Sequence, residues 1–86
     1  MAEVIIYTTN YCPYCVRAKK LLNDKGVEYK EIDVTEDQDM REKLVEMSGG
    51  RKTVPQIFIN GKSIGGFTDI EQLEKTGELQ KLLESK

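Results

Sequence analysis

The chain has 86 residues, 13 Lys and Arg against 15 Asp and Glu, a net charge of −2, and neither His nor Trp. That bounds it to one domain, residues 1–86, with a small core, and it excludes His-based catalysis, His metal sites and a counterion-driven nucleic-acid binder. No apolar run approaches the roughly 20 residues of a membrane span or the about 7–15 of a secretory leader, so a cytoplasmic protein with no membrane or nucleic-acid partner is expected.

Over residues 3–9 the β-branched and aromatic residues Val4, Ile5, Ile6 and Tyr7 run together and predict a buried strand. Asn10 and Tyr11 make a short loop. Pro13 opens a helix over 13–25, since Pro is favoured at a first helical position, where its missing N–H costs nothing. Cys15, Ala18, Leu21 and Leu22 share one face of that helix, with Arg17, Lys19 and Lys20 elsewhere, and Gly26 closes it. Residues 27–34 place Val27, Tyr29, Ile32 and Val34 among charged residues, as a second strand would. Thr35-Glu36-Asp37-Gln38 has the pattern of a capping box, and Met40, Leu44 and Met47 give a helix over 36–47 its apolar stripe.

Ser48-Gly49-Gly50 ends that helix. Asn60-Gly61 between the runs 56–59 and 62–64 is the strongest short-range hairpin signal. Gly65-Gly66 breaks the strand, Thr68-Asp69-Ile70-Glu71 is a second capping box, and Ile70, Leu73, Leu79, Leu82 and Leu83 predict one or two terminal helices. The order β-α-β-α-β-β-α, with a parallel, right-handed first βαβ unit, predicts an α/β fold: a four-stranded mixed sheet with helices on both faces.

Both cysteines lie in Cys12-Pro13-Tyr14-Cys15, where a strand ends and a helix begins. The unpaired N–H groups and positive dipole end of a helix favour an anion, so a thiolate is favoured at Cys12. Cys12, outside the helix and exposed, is the expected nucleophile. Cys15, one turn in on the apolar face, is the expected resolving thiol, close enough to form a disulfide with Cys12. A structural zinc site wants four ligands and finds only two thiols here. A structural disulfide does not suit a chain without an export signal. C-x-x-C beside a βαβ pattern is the thioredoxin-like redox signal.

Three further segments carry chemistry. The residue before a proline is pushed to extended geometry, so Val54 of Thr53-Val54-Pro55 can offer its backbone to an extended peptide. With about 5–6% of X–Pro bonds cis, the residues alone favour an ordinary strand-entry Pro55. The N–H groups of Thr68 and Asp69 after Gly65-Gly66-Phe67 can bind a carboxylate, and the Asp69 carboxylate an amine. Arg51-Lys52 is a basic pair able to meet another carboxylate.

Together Cys12-Pro13-Tyr14-Cys15, Thr53-Val54-Pro55 and Gly65-Gly66 with Asp69 resemble the glutaredoxin family, in its dithiol form, over essentially the whole chain. The resemblance implies a thioredoxin-like fold, a cis Pro55, and reduction of protein disulfides and glutathione mixed disulfides by Cys12 and Cys15. It implies glutathione as co-substrate, no permanently bound cofactor or metal, and disulfide-containing or glutathionylated proteins as partners of a monomer. The implied glutathione contacts are Tyr14, Arg51, Lys52, Thr53, Val54, Pro55, Gly66, Phe67, Thr68 and Asp69. Thr8 and Thr9 stand where many relatives carry a Lys for the glycyl carboxylate, leaving Arg51 or Lys52 to replace it. Phe67 takes the place of an additional Cys found in many relatives and is shared with thioredoxin-reductase-dependent redoxins, which gives an alternative electron donor. A further alternative is a dimer holding a [2Fe–2S] cluster through Cys12 and two glutathiones, which Pro13 and the competing disulfide to Cys15 disfavour.

Overall fold

Alternation along an extended segment sends Val4 and Ile6 to one side and Ile5 and Tyr7 to the other. All four are apolar, so the strand that carries them must lie between two cores. In the computed structural model, which describes residues 3–84, this strand is β1 (Val4–Thr8). It is followed by α1 (Pro13–Asp24), β2 (Lys30–Asp33), α2 (Gln38–Met47), β3 (Gln56–Ile59), β4 (Lys62–Gly65), α3 (Phe67–Thr76) and α4 (Glu78–Glu84). The four strands form one sheet in the order β2-β1-β3-β4, with β1 parallel to β2 and antiparallel to β3, and β3 antiparallel to β4. The turn at Asn60-Gly61 has positive φ at both residues, 52° and 81°, as a tight hairpin demands. This is the expected α/β architecture with a mixed sheet.

Helices cover both faces. On one, Val4, Ile6, Ile57 and Ile59 pack against Ala18 and Leu22 of α1, Ile70 of α3 and Leu79 of α4. On the other, Tyr7 and Phe58 meet edge to face, 5.6 Å between centroids, beside Val34 and Leu44 of α2. The two cores fix the strand register, because a one-residue slip would exchange every side chain between faces.

Four expectations need correction. The second strand begins at Lys30 rather than Val27: Gly26 has φ 72°, and the Val27 N–H bonds back to the Leu22 carbonyl at 3.0 Å, so the chain is still leaving α1. Val27 and Tyr29 reach the α1-side core without joining the ladder. The second helix begins at Gln38, capped by Asp37, whose carboxylate accepts from Met40 N at 3.0 Å. Thr35 instead accepts the Asn10 N–H at 2.8 Å, tying the approach to α2 to the end of β1. Met47, on the last turn of α2, is 46% exposed and leaves the apolar stripe. The third helix begins at Phe67 with Gly66 as its cap, so Thr68 lies inside it.

One polar cluster joins three elements on the α1 side of the sheet. Glu31 Oε2 accepts from Lys19 Nζ at 3.0 Å and from Thr8 Oγ1 at 2.8 Å. These two bonds, Lys19 first, hold the Glu31 carboxyl below its ordinary pKa, and Glu31 raises that of Lys19. A depressed carboxyl stabilises the fold above its unfolded pKa and loses that contribution as pH falls through the folded value. Both side chains are about a third exposed, so the effect is small. Glu31→Gln is expected to cost less than about 1 kcal/mol at pH 7. Urea-unfolding midpoints are expected to converge with wild type only as the pH falls through the depressed folded pKa of Glu31, below the ordinary carboxylate range, where the carboxyl is protonated in both states.

Candidate active site

β1 ends at Thr8 and α1 begins at Pro13, so the chain passes from sheet to helix in one short turn, and Cys12 stands at its end. Cys12 is the N-cap residue, extended at φ −106° and ψ 107°. Its Sγ accepts the Cys15 N–H at 3.1 Å, the task a Ser, Thr, Asp or Asn oxygen performs in most helices. The same sulfur lies 3.5 Å from the Val54 carbonyl oxygen, to which the thiol donates. That contact covers one side of Cys12, which is half-buried rather than exposed as expected. The Val54–Pro55 bond is cis, as the family resemblance implied and the residues alone did not.

Cys15 differs in every respect. It is 1% exposed and its thiol is pushed up to about 12, chiefly by burial and then by the hydrogen bond to Cys12. Both cysteines are free thiols.

Val54 also belongs to the wall of a pocket of about 280 Å³, lined by Tyr14, Arg51, Thr53, Val54, Pro55, Gly66, Phe67 and Thr68. Tyr14 and Phe67 stack across it, 6.2 Å between centroids and 24° between planes. At its far end the first intrahelical bond of α3 runs from Ile70 N to Gly66 O, which leaves the N–H groups of Phe67, Thr68 and Asp69 before it, at the positive end of the helix. Asp69 Oδ2 accepts from Gly66 N and from Arg51 Nη2, each at 2.9 Å. Gly65 lies directly beneath this clasp at φ +116°, where a Cβ would collide with the Asp69 carboxylate and the Arg51 guanidinium.

The structure therefore gathers the predicted residues with one exception. Lys52 is exposed and off the pocket wall. Arg51 is on it but is already paired with Asp69, and Thr8 and Thr9 are buried.

Sequence reasoning missed one contributor, Gln56, and two contacts outside the pocket wall. Gln56, fully buried, donates its amide to the Thr53 carbonyl at 2.9 Å and so braces the loop before Pro55. The signal was a lone amide heading an otherwise apolar strand. Arg17 lies over the Tyr14 ring, 5.5 Å from its centroid, an i to i+3 pairing readable from the helix period. Arg41 donates to the Tyr11 hydroxyl at 3.2 Å, and nothing local announces a contact thirty residues apart.

Comparison with known proteins gives one answer. The sequence model of the glutaredoxin family matches residues 4–64. Glutaredoxin 1 of Rickettsia conorii is 51% identical over 83 residues, 95% of this chain and 81% of that protein. The solution structure of glutaredoxin from Brucella melitensis superposes with a TM-score of 0.87 at 49% identity, covering 98% of this chain and 90% of that one. A buckwheat glutaredoxin–glutathione complex superposes with a TM-score of 0.87 at 32% identity, over 95% of this chain and 76% of that one.

The contrast between the thiols predicts their labelling. Iodoacetamide added to the reduced protein at pH 8 is expected to modify Cys12 and leave Cys15 untouched, because Cys15 is buried and stays protonated until the pH nears 12. Peptide mass mapping checks this, and equal labelling of both residues would contradict the burial of Cys15.

Proposed function

The chain belongs to the glutaredoxin family and is a thiol–disulfide oxidoreductase, and from that premise we propose that it is glutathione-dependent, with Cys12 as nucleophile and Cys15 as resolving thiol. What carries this reading is the placement of the Cys12 sulfur, which caps α1 and borders the pocket through Val54. The cap N–H and the positive end of α1 face that sulfur.

With a glutathione mixed disulfide, the Cys12 thiolate attacks the glutathionyl sulfur. A Cys12–glutathione bond forms, and the electron pair of the broken bond leaves with the substrate thiolate. A second glutathione thiolate then attacks the glutathionyl sulfur, releasing oxidised glutathione and restoring Cys12. With a protein disulfide, Cys12 takes one sulfur, and Cys15 must lose its proton and attack Cys12. The reduced protein leaves and a Cys12–Cys15 disulfide remains, which two glutathiones reduce.

The high Cys15 pKa suits this order. Part of it comes from the hydrogen bond and charge of Cys12. Once Cys12 is in a mixed disulfide its charge is gone, so Cys15 ionises more readily at the step that needs it.

The pocket offers a fit to each part of the tripeptide. The Val54 backbone, set before the cis bond to Pro55, can pair with the cysteinyl backbone, as one strand does with another. The N–H groups of Thr68 and Asp69 suit the γ-glutamyl carboxylate, and Asp69 its ammonium. Arg51 suits the remaining carboxylate, and the Tyr14–Phe67 stack covers the peptide's apolar stretch. The tripeptide ammonium and Arg51 then compete for Asp69, so binding exchanges one ion pair for two. We assign Thr53, Pro55 and Gly66 to shaping this groove and leave Lys52 at its exposed margin.

Cys12→Ser is expected to abolish turnover of every disulfide. Cys15→Ser is expected to keep release of glutathione from mixed disulfides and to lose reduction of protein disulfides. Coupled assays supplied either with glutathione and its reductase or with thioredoxin reductase alone check both variants. Turnover sustained by thioredoxin reductase alone would replace glutathione as donor, and loss of both activities in Cys15→Ser would overturn the role assignment.

A further inference from the structure

Two tyrosines flank Cys12 in space as well as in sequence, and both are left in the open: Tyr11 is 64% and Tyr14 53% exposed. Each is held by an arginine from a different layer of the fold. Tyr14 lies under Arg17 in the α1 layer, on one side of the sheet. Tyr11 receives the Arg41 hydrogen bond from α2, on the other side. Cys12 sits between the layers, where β1 delivers the chain to α1.

Neither arginine has a carboxylate within ion-pair distance among the described residues, whereas Lys19, Lys20, Lys25 and Arg51 do. A guanidinium resting on an aromatic ring or hydroxyl is held in place and keeps most of its five N–H groups for a planar anion. Tyrosine adds rigid, half-apolar contact area at small entropic cost. Tyr11, Arg17 and Arg41 lie off the wall of the glutathione pocket and stay free when it is filled, whereas Tyr14 stands on that wall and is shared between the two surfaces.

We propose that the two tyrosine–arginine pairs astride Cys12 dock the protein half of a mixed disulfide, and that they favour a substrate whose cysteine is flanked by Asp or Glu. The proposal rests on the glutathione-dependent reading above and adds the partner's chemistry. The molecule as a whole carries net charge −2, so the preference is local. Asp33, Glu36, Asp37 and Asp39 line a hollow at the start of α2. Their charge repels an acidic segment at the start of α2, one turn before Arg41.

The test uses glutathione mixed disulfides of peptides identical except for Glu, Gln or Lys on both sides of the cysteine. The mixed disulfide of glutathione with 2-mercaptoethanol serves as a substrate without a docking segment. At low salt the wild-type kcat/KM is expected to be at least about fivefold higher for the Glu peptide than for the Lys peptide. At about 0.5 M salt the difference should shrink, because exposed charges are then screened. Arg17→Gln with Arg41→Gln is expected to make the peptides equal while 2-mercaptoethanol mixed-disulfide turnover stays unchanged. Equal wild-type rates, or a Glu preference that survives in the double variant, overturn the docking surface alone. No wild-type turnover of the 2-mercaptoethanol mixed disulfide overturns the glutathione reading, and the docking surface with it.

Discussion

A helix start needs an acceptor for its first N–H groups, and here that acceptor is the sulfur of Cys12. The bond does two jobs with one atom. It ends the turn out of β1, fixing where α1 begins, and it places one backbone donor, the Cys15 N–H, on the sulfur. Because the Val54 carbonyl meets the same atom, the sulfur also joins the α1 layer to the loop before β3, two segments forty-two residues apart. The pocket opens beside this point, with α3 closing its far side through Phe67 and Thr68.

The two thiols share a four-residue motif and have opposite environments. Cys12 is outside the helix and half-buried; Cys15 is one turn inside, against the core that includes Ala18 and Leu22. Burial raises the Cys15 pKa, which keeps its thiol neutral near pH 7. The spacing thus gives two environments, because Cys12 caps the helix from outside it while Cys15, one turn in, is buried.

Much of this was legible before any coordinates. The order of elements along the chain, the hairpin at Asn60-Gly61, the start of α1 at Pro13 and the roles open to Cys12 and Cys15 all follow from local chemistry. What escaped depends on distant partners. Val27 and Tyr29 have strand-like patterning, but the Val27 N–H is spent on the C-terminal turn of α1. Thr35 and Thr68 have the composition of helix caps, but Asp37 and Gly66 take those places. The Arg51–Asp69 clasp and the Gln56 brace join residues whose meeting is set by tertiary packing, and no pattern in either segment announces it. The cis bond at Pro55 was legible only through family resemblance.

The sheet leaves two open edges, β2 and β4. An unpaired edge is a template on which another molecule can lay a fifth ribbon and begin a fibre. Here β2 carries Lys30, Glu31 and Asp33, and β4 opens with Lys62 beside the hairpin and bends where its register with β3 shifts between Ile57 and Phe58. Short length, charge and a bulge each discourage such growth. Each edge of the sheet is therefore a poor template for a further strand.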